Sequence, residues 1–154
     1  MTSNELTQTI SALLEKWQHI LRLRDWDIKL QVVTTPWRKT GDIKIDAHDK
    51  KAILLVNADK LENENLEEVV IHELLHLSLW GLDQMLESLL TSVFGNNPDD
   101  PKYQFAYAQF MDRLEPTVED LTKAFVALAA ENKTLSFKRV EWLLEAELQN
   151  QDSR

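Results

Sequence analysis

The residues best suited to chemistry are two histidines and a glutamate in the run His72-Glu73-Leu74-Leu75-His76. This is an H-E-x-x-H arrangement. Side chains four residues apart lie one above the other on the same face of a helix, so both imidazoles can reach one ion about 2.0–2.1 Å away. Glu73 lies beside the first ligand, where it can act as a general base toward a metal-activated water. The spacing therefore predicts His72 and His76 as ligands of Zn²⁺ and Glu73 as the catalytic residue.

The segment that contains this motif is apolar on most sides, from Leu66 to Trp80. A helix of that kind is expected in the interior of a domain. Burying two histidines and a glutamate without partners would cost several kcal/mol, and a bound metal would satisfy all three. The alternative is an ordinary core in which the same side chains form hydrogen bonds with their neighbours.

A catalytic zinc site usually has three protein ligands, so a third ligand is needed. The extended motif H-E-x-x-H-x-x-G-x-x-H fails, because Leu79 and Leu82 occupy the glycine and third-histidine positions. Glu115 lies three residues before Val118, on the apolar face of a predicted helix, and is the preferred candidate. Glu119, Glu87 and Asp83 remain alternatives in that order. Alternatively, Glu115 is not a ligand, and its negative charge only interacts favourably with the positive N-terminal end of its helix.

The order of elements resembles that of the small gluzincin metallopeptidases: a sheet with a hairpin, a buried H-E-x-x-H helix, a loop and a helix with a glutamate. The segment Val69-Val70-Ile71-His72-Glu73-Leu74-Leu75-His76-Leu77, followed by Glu115-x-x-Val118-x-x-Leu121, is similar to small uncharacterised metallopeptidases of phages and prophages. The resemblance covers about residues 25–130. It implies His72, His76 and Glu115 as zinc ligands and Glu73 as the base.

The sequence departs from the gluzincin pattern at two places. Many gluzincins have an aspartate four residues after the ligand glutamate, where it orients a ligand histidine, and this chain has Glu119 there. No tyrosine or histidine clearly takes the family's place for stabilising an oxyanion. Tyr103, Tyr107 and His48 are weak candidates for that role.

The elements that must position these residues follow from periodicity and breakers. Asn65 is predicted to cap the helix over 65–80, and Gly81 to end it. Pro116 is predicted to begin a separate helix. The remaining elements are a first helix over 5–24, a strand from Trp26, a hairpin over 42–56, a loop over 95–101, a helix over 102–114 and a last helix to Leu148.

These elements predict an α+β fold in a single metallopeptidase-like domain over 1–154. A small, mostly antiparallel sheet of three or more strands is expected to pack on a helical layer that contains the H-E-x-x-H helix, as in a minimal zincin. The sheet is assigned to 25–57, the H-E-x-x-H helix to 65–80 and the C-terminal helices to 82–149.

Composition narrows the class of protein further. The 154 residues have 17 basic and 26 acidic side chains, a formal net charge of −9, and no cysteine. An acidic chain is poorly suited to nucleic acid or to a basic membrane-surface helix, and the absence of cysteine excludes disulfide and thiolate scaffolds. No secretory signal is recognised, so a cytoplasmic protein of a bacterial cell or phage is expected. The oligomeric state stays open.

The predicted function is a zinc-dependent metalloendopeptidase, a hydrolase whose peptide or protein substrate lies along a sheet edge as an extra strand. A peptidase that cleaves a regulator has the same architecture and differs only in its substrate. A non-catalytic phage structural or interaction protein with a structural metal site is the other alternative. The glutamate at position 73 argues against that last reading, because a structural site has no use for a base.

Overall fold

A computed structural model describes residues 3–60 and 65–151, so the remainder of the predicted 1–154 domain lies outside the described residues. The described chain contains α1 (Ser3–Ile20), β1 (Asp27–Val33), β2 (Gly41–Asp46), β3 (Lys51–Asn57), a 3₁₀ turn (Ala58–Lys60), α2 (Leu66–Phe94), α3 (Pro101–Ala129) and α4 (Lys138–Gln151). Across these two ranges, none of the helices has the length and hydropathy that crossing a membrane requires.

The sheet has three strands in the order β1-β3-β2, with β3 in the centre. The β2–β3 hairpin is antiparallel, and Ile43 lies opposite Leu54. β1 pairs with β3 in parallel, and Leu30 lies opposite Leu54. The predicted α+β class with three strands is confirmed, but the expectation of a mostly antiparallel sheet is wrong, since one of the two strand pairs is parallel.

The loop over 34–40 explains the parallel pair. It carries the chain past the end of β3, so β1 and β2 lie on opposite sides of that strand and run in opposite directions. Because β3 is antiparallel to β2, it must then be parallel to β1. An alternation of apolar and polar residues indicates a strand but not the direction of its neighbour, so the sequence pattern could not distinguish the two sheets.

The hydrophobic core lies between one face of the sheet and helices α1, α2 and α3. Its fully buried members come from all of these elements: Ile10, Trp17, Leu54, Val56, Val70, Ile71, Leu74, Val118 and Val126. The first half of α2 passes through the middle of this core. The burial predicted for the H-E-x-x-H helix is therefore confirmed.

Two predicted helix boundaries are wrong, because Gly81 lies inside α2 and Pro116 lies inside α3. A glycine in a helix interior is about 1 kcal/mol less favourable than alanine, which is too little to end a helix that packs along a neighbour. Pro116 removes one backbone hydrogen-bond donor from α3. Because α3 packs along α2, the helix nevertheless continues past this proline. Glu115 and Glu119 consequently belong to one unbroken helix beside α2.

Asn65 caps α2 as predicted. Its side-chain oxygen accepts hydrogen bonds from the backbone N–H groups of Glu67 and Glu68, at 3.1 and 3.4 Å. Its amide nitrogen donates to the carbonyl oxygens of Asn132 and Thr134, both at 2.9 Å. One amide therefore satisfies the start of α2 and also binds the segment that follows α3.

Glu67 holds the same end of α2 to two other parts of the chain. Its carboxylate accepts hydrogen bonds from Trp17 Nε1 and Lys16 Nζ, both at 2.7 Å, and from the backbone N–H of Glu131 at 3.0 Å. The Lys16 and Trp17 hydrogen bonds hold the pKa of this carboxyl below its usual range despite the opposing effect of burial. The first turn of α2 is thus fixed a short distance before the motif begins.

Candidate metal centre

His72 and His76 lie one turn apart on α2, as their spacing predicts. Their Nε2 atoms are 3.3 Å apart, and the ring centroids are separated by 5.0 Å. The two side chains are 25% and 20% exposed, so they lie at the edge of the core with access to solvent. The two Nε2 atoms lie within hydrogen-bonding distance of each other and both face Glu115, so a shared ion could take the place of that hydrogen bond.

Glu115 reaches that point from α3. Its Oε1 lies 3.6 Å from His76 Nε2, and its Oε2 lies 3.9 Å from His72 Nε2. Ligand atoms of the three side chains, one from each, all lie within 4.8 Å of one another. The Glu115 side chain is half exposed, so it lies at the rim of the site and not among the inward-facing residues of α3.

The distances are compatible with one shared metal ion. Ligand atoms about 2.0–2.1 Å from the centre of a tetrahedron are about 3.3–3.4 Å from one another. The two histidine nitrogens match that separation, and the glutamate oxygens exceed it by a few tenths of an ångström, which a side-chain rotation can close. Two imidazoles and a carboxylate are also the donor set found in many catalytic zinc sites.

Glu119 contacts the other nitrogen of His72. Its Oε2 lies 3.4 Å from Nδ1, while the Nε2 atom faces His76 and Glu115. A carboxylate beside Nδ1 favours the tautomer that leaves the lone pair of Nε2 free for a metal. The glutamate four residues after Glu115 therefore lies where it could orient the His72 ring.

The structure does not place the other proposed ligands in this group. Asp83 lies in the wall of the same cavity, and Glu87 accepts a hydrogen bond from Gln84 Nε2 at 3.0 Å. Burial, followed by repulsion from Glu87 and Glu115, raises the pKa of the Asp83 carboxyl. Neither carboxylate belongs to the metal-ligand cluster of the described residues.

The weak candidates for oxyanion stabilisation lie elsewhere. Tyr103 and Tyr107 stack on each other with ring centroids 6.1 Å apart, and His48 is exposed in the turn between β2 and β3. None of the three lines the cavity beside the histidines within the described part of the chain.

The ligand group opens into a cavity of about 350 Å³ between α2, α3 and β2. Its wall is made by residues of these elements and of the loop before β2: Lys39, Gly41, Asp42, Ile43, Ile45, His72, Glu73, His76, Trp80, Asp83 and Glu115. β2 is an edge strand of the sheet, so the cavity runs beside a strand with one unpaired side. A larger hollow of about 640 Å³ is lined by residues of the three strands, without any histidine.

Glu73 is buried in the cavity wall, with only 8% of the residue exposed. Burial raises the pKa of its carboxyl to about 8, and the nearby charges of Asp42 and Glu115 add to the rise against an opposing effect of Lys39 and Lys44. Without a cation this group is largely protonated at neutral pH. A positive ion at the neighbouring ligand group would favour the ionised form that a general base requires.

The surroundings of His76 favour its neutral form. Burial lowers the pKa of its imidazole, and the neighbouring His72 lowers it further, while Glu115 and Asp42 oppose the change. A neutral imidazole has the free lone pair that binds a metal, so the environment favours the ligand form at neutral pH.

Lys39, Asp42 and Gly41 are site residues that the sequence analysis missed. Asp42 lies 3.2 Å from Lys39 Nζ and 2.7 Å from Lys44 Nζ, and these lysines hold the pKa of its carboxyl low although burial acts in the opposite direction. The buried Asn57 donates to the carbonyl oxygen of Lys39 at 2.8 Å and so fixes the loop that presents it. Of these three residues, only Gly41 could have been identified from the sequence, because a glycine inside a strand often marks a place where another group packs closely against the backbone.

Comparison with known proteins adds no relative to this description. No protein-family model, curated protein sequence or solved structure matches the chain.

Proposed function

We propose that this protein is a zinc-dependent peptidase that hydrolyses bonds within a peptide or protein substrate. One observation carries the proposal: the Nε2 atoms of His72 and His76 and the carboxylate of Glu115 converge beside the buried carboxyl group of Glu73. The four side chains come from two helices that pack on each other, and they face one cavity. This is the residue set that metal-assisted hydrolysis needs.

His72, His76 and Glu115 would hold the zinc ion. When bound, zinc supplies Lewis acidity, which polarises a carbonyl group and lowers the pKa of a water molecule toward 7. The ligand cluster of the described residues has three members, which leaves a position for water or substrate. That count favours a catalytic site over a structural one, since structural zinc sites are closed by four protein ligands.

Glu73 acts as the general base. It accepts a proton from the attacking water as the new carbon–oxygen bond forms, and it passes that proton to the leaving nitrogen as the carbon–nitrogen bond breaks. Its position next to His72 in sequence places it beside the ligand group without making it a ligand. Burial in the wall of the cavity keeps bulk water away from the carboxyl group.

The substrate is placed by β2 and by Lys39. An extended peptide that adds to the edge of β2 would run along the cavity, with its backbone hydrogen-bonded to the strand. Lys39 lines the same cavity and is the one lysine or arginine among its described residues. Its ammonium group is the partner for the negative charge that develops on the carbonyl oxygen.

Metal content tests the ligand set. Purified protein reconstituted with zinc and desalted should hold about one zinc per chain by mass spectrometry, and His76→Ala and Glu115→Ala should each lose most of it. Glu87→Ala is the matched control, because it removes a neighbouring carboxylate outside the ligand group and should keep its zinc. Retention of zinc by Glu115→Ala would contradict the proposed third ligand.

Turnover tests the reaction. Zinc-loaded protein should cleave members of a fluorescence-quenched peptide library, and Glu73→Gln should lose about 10²–10⁴-fold in kcat while keeping its zinc. Bound zinc with no cleavage of any peptide or unfolded protein would contradict the peptidase proposal. That outcome would support a non-catalytic protein whose metal stabilises the fold.

A further inference from the structure

The first residue of β2 lies against the catalytic glutamate. A Cβ atom placed on Gly41 would be 2.8 Å from Glu73 Oε1, 3.1 Å from Glu73 Cγ and 3.0 Å from Val69 Cγ1. A separation of 2.8 Å is shorter than real Cβ atoms show, so something would have to move. The backbone of β2 and the side chain of Glu73 therefore fit together only because position 41 has no side chain.

Backbone conformation does not explain this glycine. Gly95 has a φ of 85°, in the left-handed region where glycine is favoured, whereas Gly41 has no such positive φ. Gly41 also begins a paired strand, where glycine is unfavourable and β-branched residues are preferred. The one property of glycine that the structure uses at position 41 is its small size.

An added methyl group would act first on the chemistry and only then on the fold. The closest atom is the free end of a flexible side chain, and rotation of the Glu73 carboxylate relieves that contact. The contacts to Val69 Cγ1 and Glu73 Cγ, at 3.0 and 3.1 Å, require these atoms to shift by only a few tenths of an ångström. The same rotation takes the carboxylate away from the position beside His72. A displacement of about 1 Å at a reacting group can lower a rate about 10²-fold.

We propose that Gly41 is a positioning residue, which reserves the space that holds the Glu73 carboxylate at the proposed site. The inference rests on the proposed function for its consequence in catalysis. The contact itself exists in the metal-free protein and can be measured there. The three atoms nearest to a Cβ on Gly41 belong to Glu73 and Val69, and none of them belongs to a proposed ligand.

The first test compares Gly41→Ala with the unmodified protein after zinc loading. We expect kcat to fall about 100-fold while KM and zinc content stay within about twofold. A structural defect would lower the zinc content or the folded fraction together with activity. Unchanged kcat, or a loss of zinc that matches the loss of activity, would overturn the inference.

A matched control is available on the motif helix. Gly81 lies inside α2, and a Cβ atom there would meet nothing within 4 Å. Gly81→Ala should keep kcat, KM and zinc content while adding the same methyl group. An equal loss of kcat in both glycine variants would show that the effect is not specific to the Glu73 contact.

The second test does not depend on activity. Thermal unfolding is measured without metal for Gly41→Ala, Glu73→Ala and the double variant. Glu73→Ala removes both glutamate atoms that the new methyl group would meet, so Gly41→Ala should lower Tm less in that background than in the unmodified protein. If the Tm shifts of the two single variants add up to that of the double variant, the contact between position 41 and Glu73 is contradicted. A protein that never cleaves a peptide would contradict the proposed function, and this cycle would still decide the role of Gly41.

Discussion

The two halves of α2 are both apolar in sequence, but their apolar side chains differ in burial. The first half contains Ile71 and Leu74, which have no exposed surface, and the motif lies among such residues. The second half, past Gly81, continues as a hairpin with α3 and exposes Leu82, Met85, Leu89 and Val93 by more than half. The candidate centre lies where the helix leaves the core, so the ligands are held by buried neighbours but open to solvent. An apolar run alone therefore does not reveal which part of a helix is buried.

Truncation of matched leucines should give the largest difference between the two halves. Leu74→Ala removes a fully buried side chain and should lower the free energy of unfolding by about 2–5 kcal/mol. Leu89→Ala removes one that is 54% exposed and should change it by only about 0.5 kcal/mol. Urea unfolding followed by circular dichroism measures both. Equal losses would mean that the second half is also covered in solution.

The pH dependence of stability should distinguish the two halves next. The pKa of Glu73 is raised to about 8 by burial first, so the folded, metal-free protein keeps a proton that the unfolded chain releases near its ordinary pKa of 4.5. Stability from this group is present at pH 4.5 and is lost as the pH rises to 8, at about 1.4 kcal/mol per pKa unit. The variant Glu73→Gln should lack that decline. The Tm of the variant minus the Tm of the unmodified protein should therefore increase from pH 4.5 to pH 8.

Asp83 provides the comparison in the second half. Its pKa is raised in the same direction but the group is less buried, so Asp83→Asn should show the same sign with a smaller change. Both variants are measured with a chelator present. A Glu73→Gln protein that parallels the unmodified protein across the range would contradict the raised pKa.

A charge that lines the cavity should matter more than a charge beside it. Lys39 lines the cavity and Lys44 does not, although both bind Asp42. Lys39→Met should lower kcat/KM about tenfold, which corresponds to about 1.4 kcal/mol, because a half-exposed cation is partly screened. Lys44→Met is the control and should lower it by much less. Equal effects would assign the loss to the charge of Asp42 instead of to contact with substrate.

The smallest effect is expected at the boundary between the halves. Gly81→Ala should raise the free energy of unfolding by about 0.5–1 kcal/mol, because alanine is more favourable inside a helix and the site has free space. The increase should appear in thermal unfolding without any change in zinc content. A decrease would indicate that the helix needs to bend at this position.

Residue spacing predicted the parts of the site that belong to one helix. The relation between His72 and His76 follows from the helical repeat alone. Glu115 was expected on the inward face with Val118, but its side chain lies half exposed at the rim while Val118 is fully buried. The helix boundaries at Gly81 and Pro116 were wrong, because packing between α2 and α3 outweighs a local preference of a few kcal/mol at most.

The remaining site residues could not be predicted because they come from elsewhere in the fold. Lys39 and Gly41 lie about thirty residues before the motif, and only the pairing of β2 in the sheet brings them to Glu73. The direction of β1 in the sheet was also missed. The alternation of apolar and polar residues indicates which face of a strand is buried, but not the direction of the neighbouring strand. These features depend on tertiary contacts that no local pattern contains.

The bonds at the start of α2 determine how short a working fragment can be. Asn65 and Glu67 are satisfied by backbone groups at residues 131–134, which lie beyond the last residue of α3. A fragment that stops at Ala129 would leave two buried side chains short of partners directly before the motif. A shortened version for crystallisation or NMR should therefore extend past residue 136, where Ser136 also binds Glu68, while the helix from Lys138 onward is a candidate for removal.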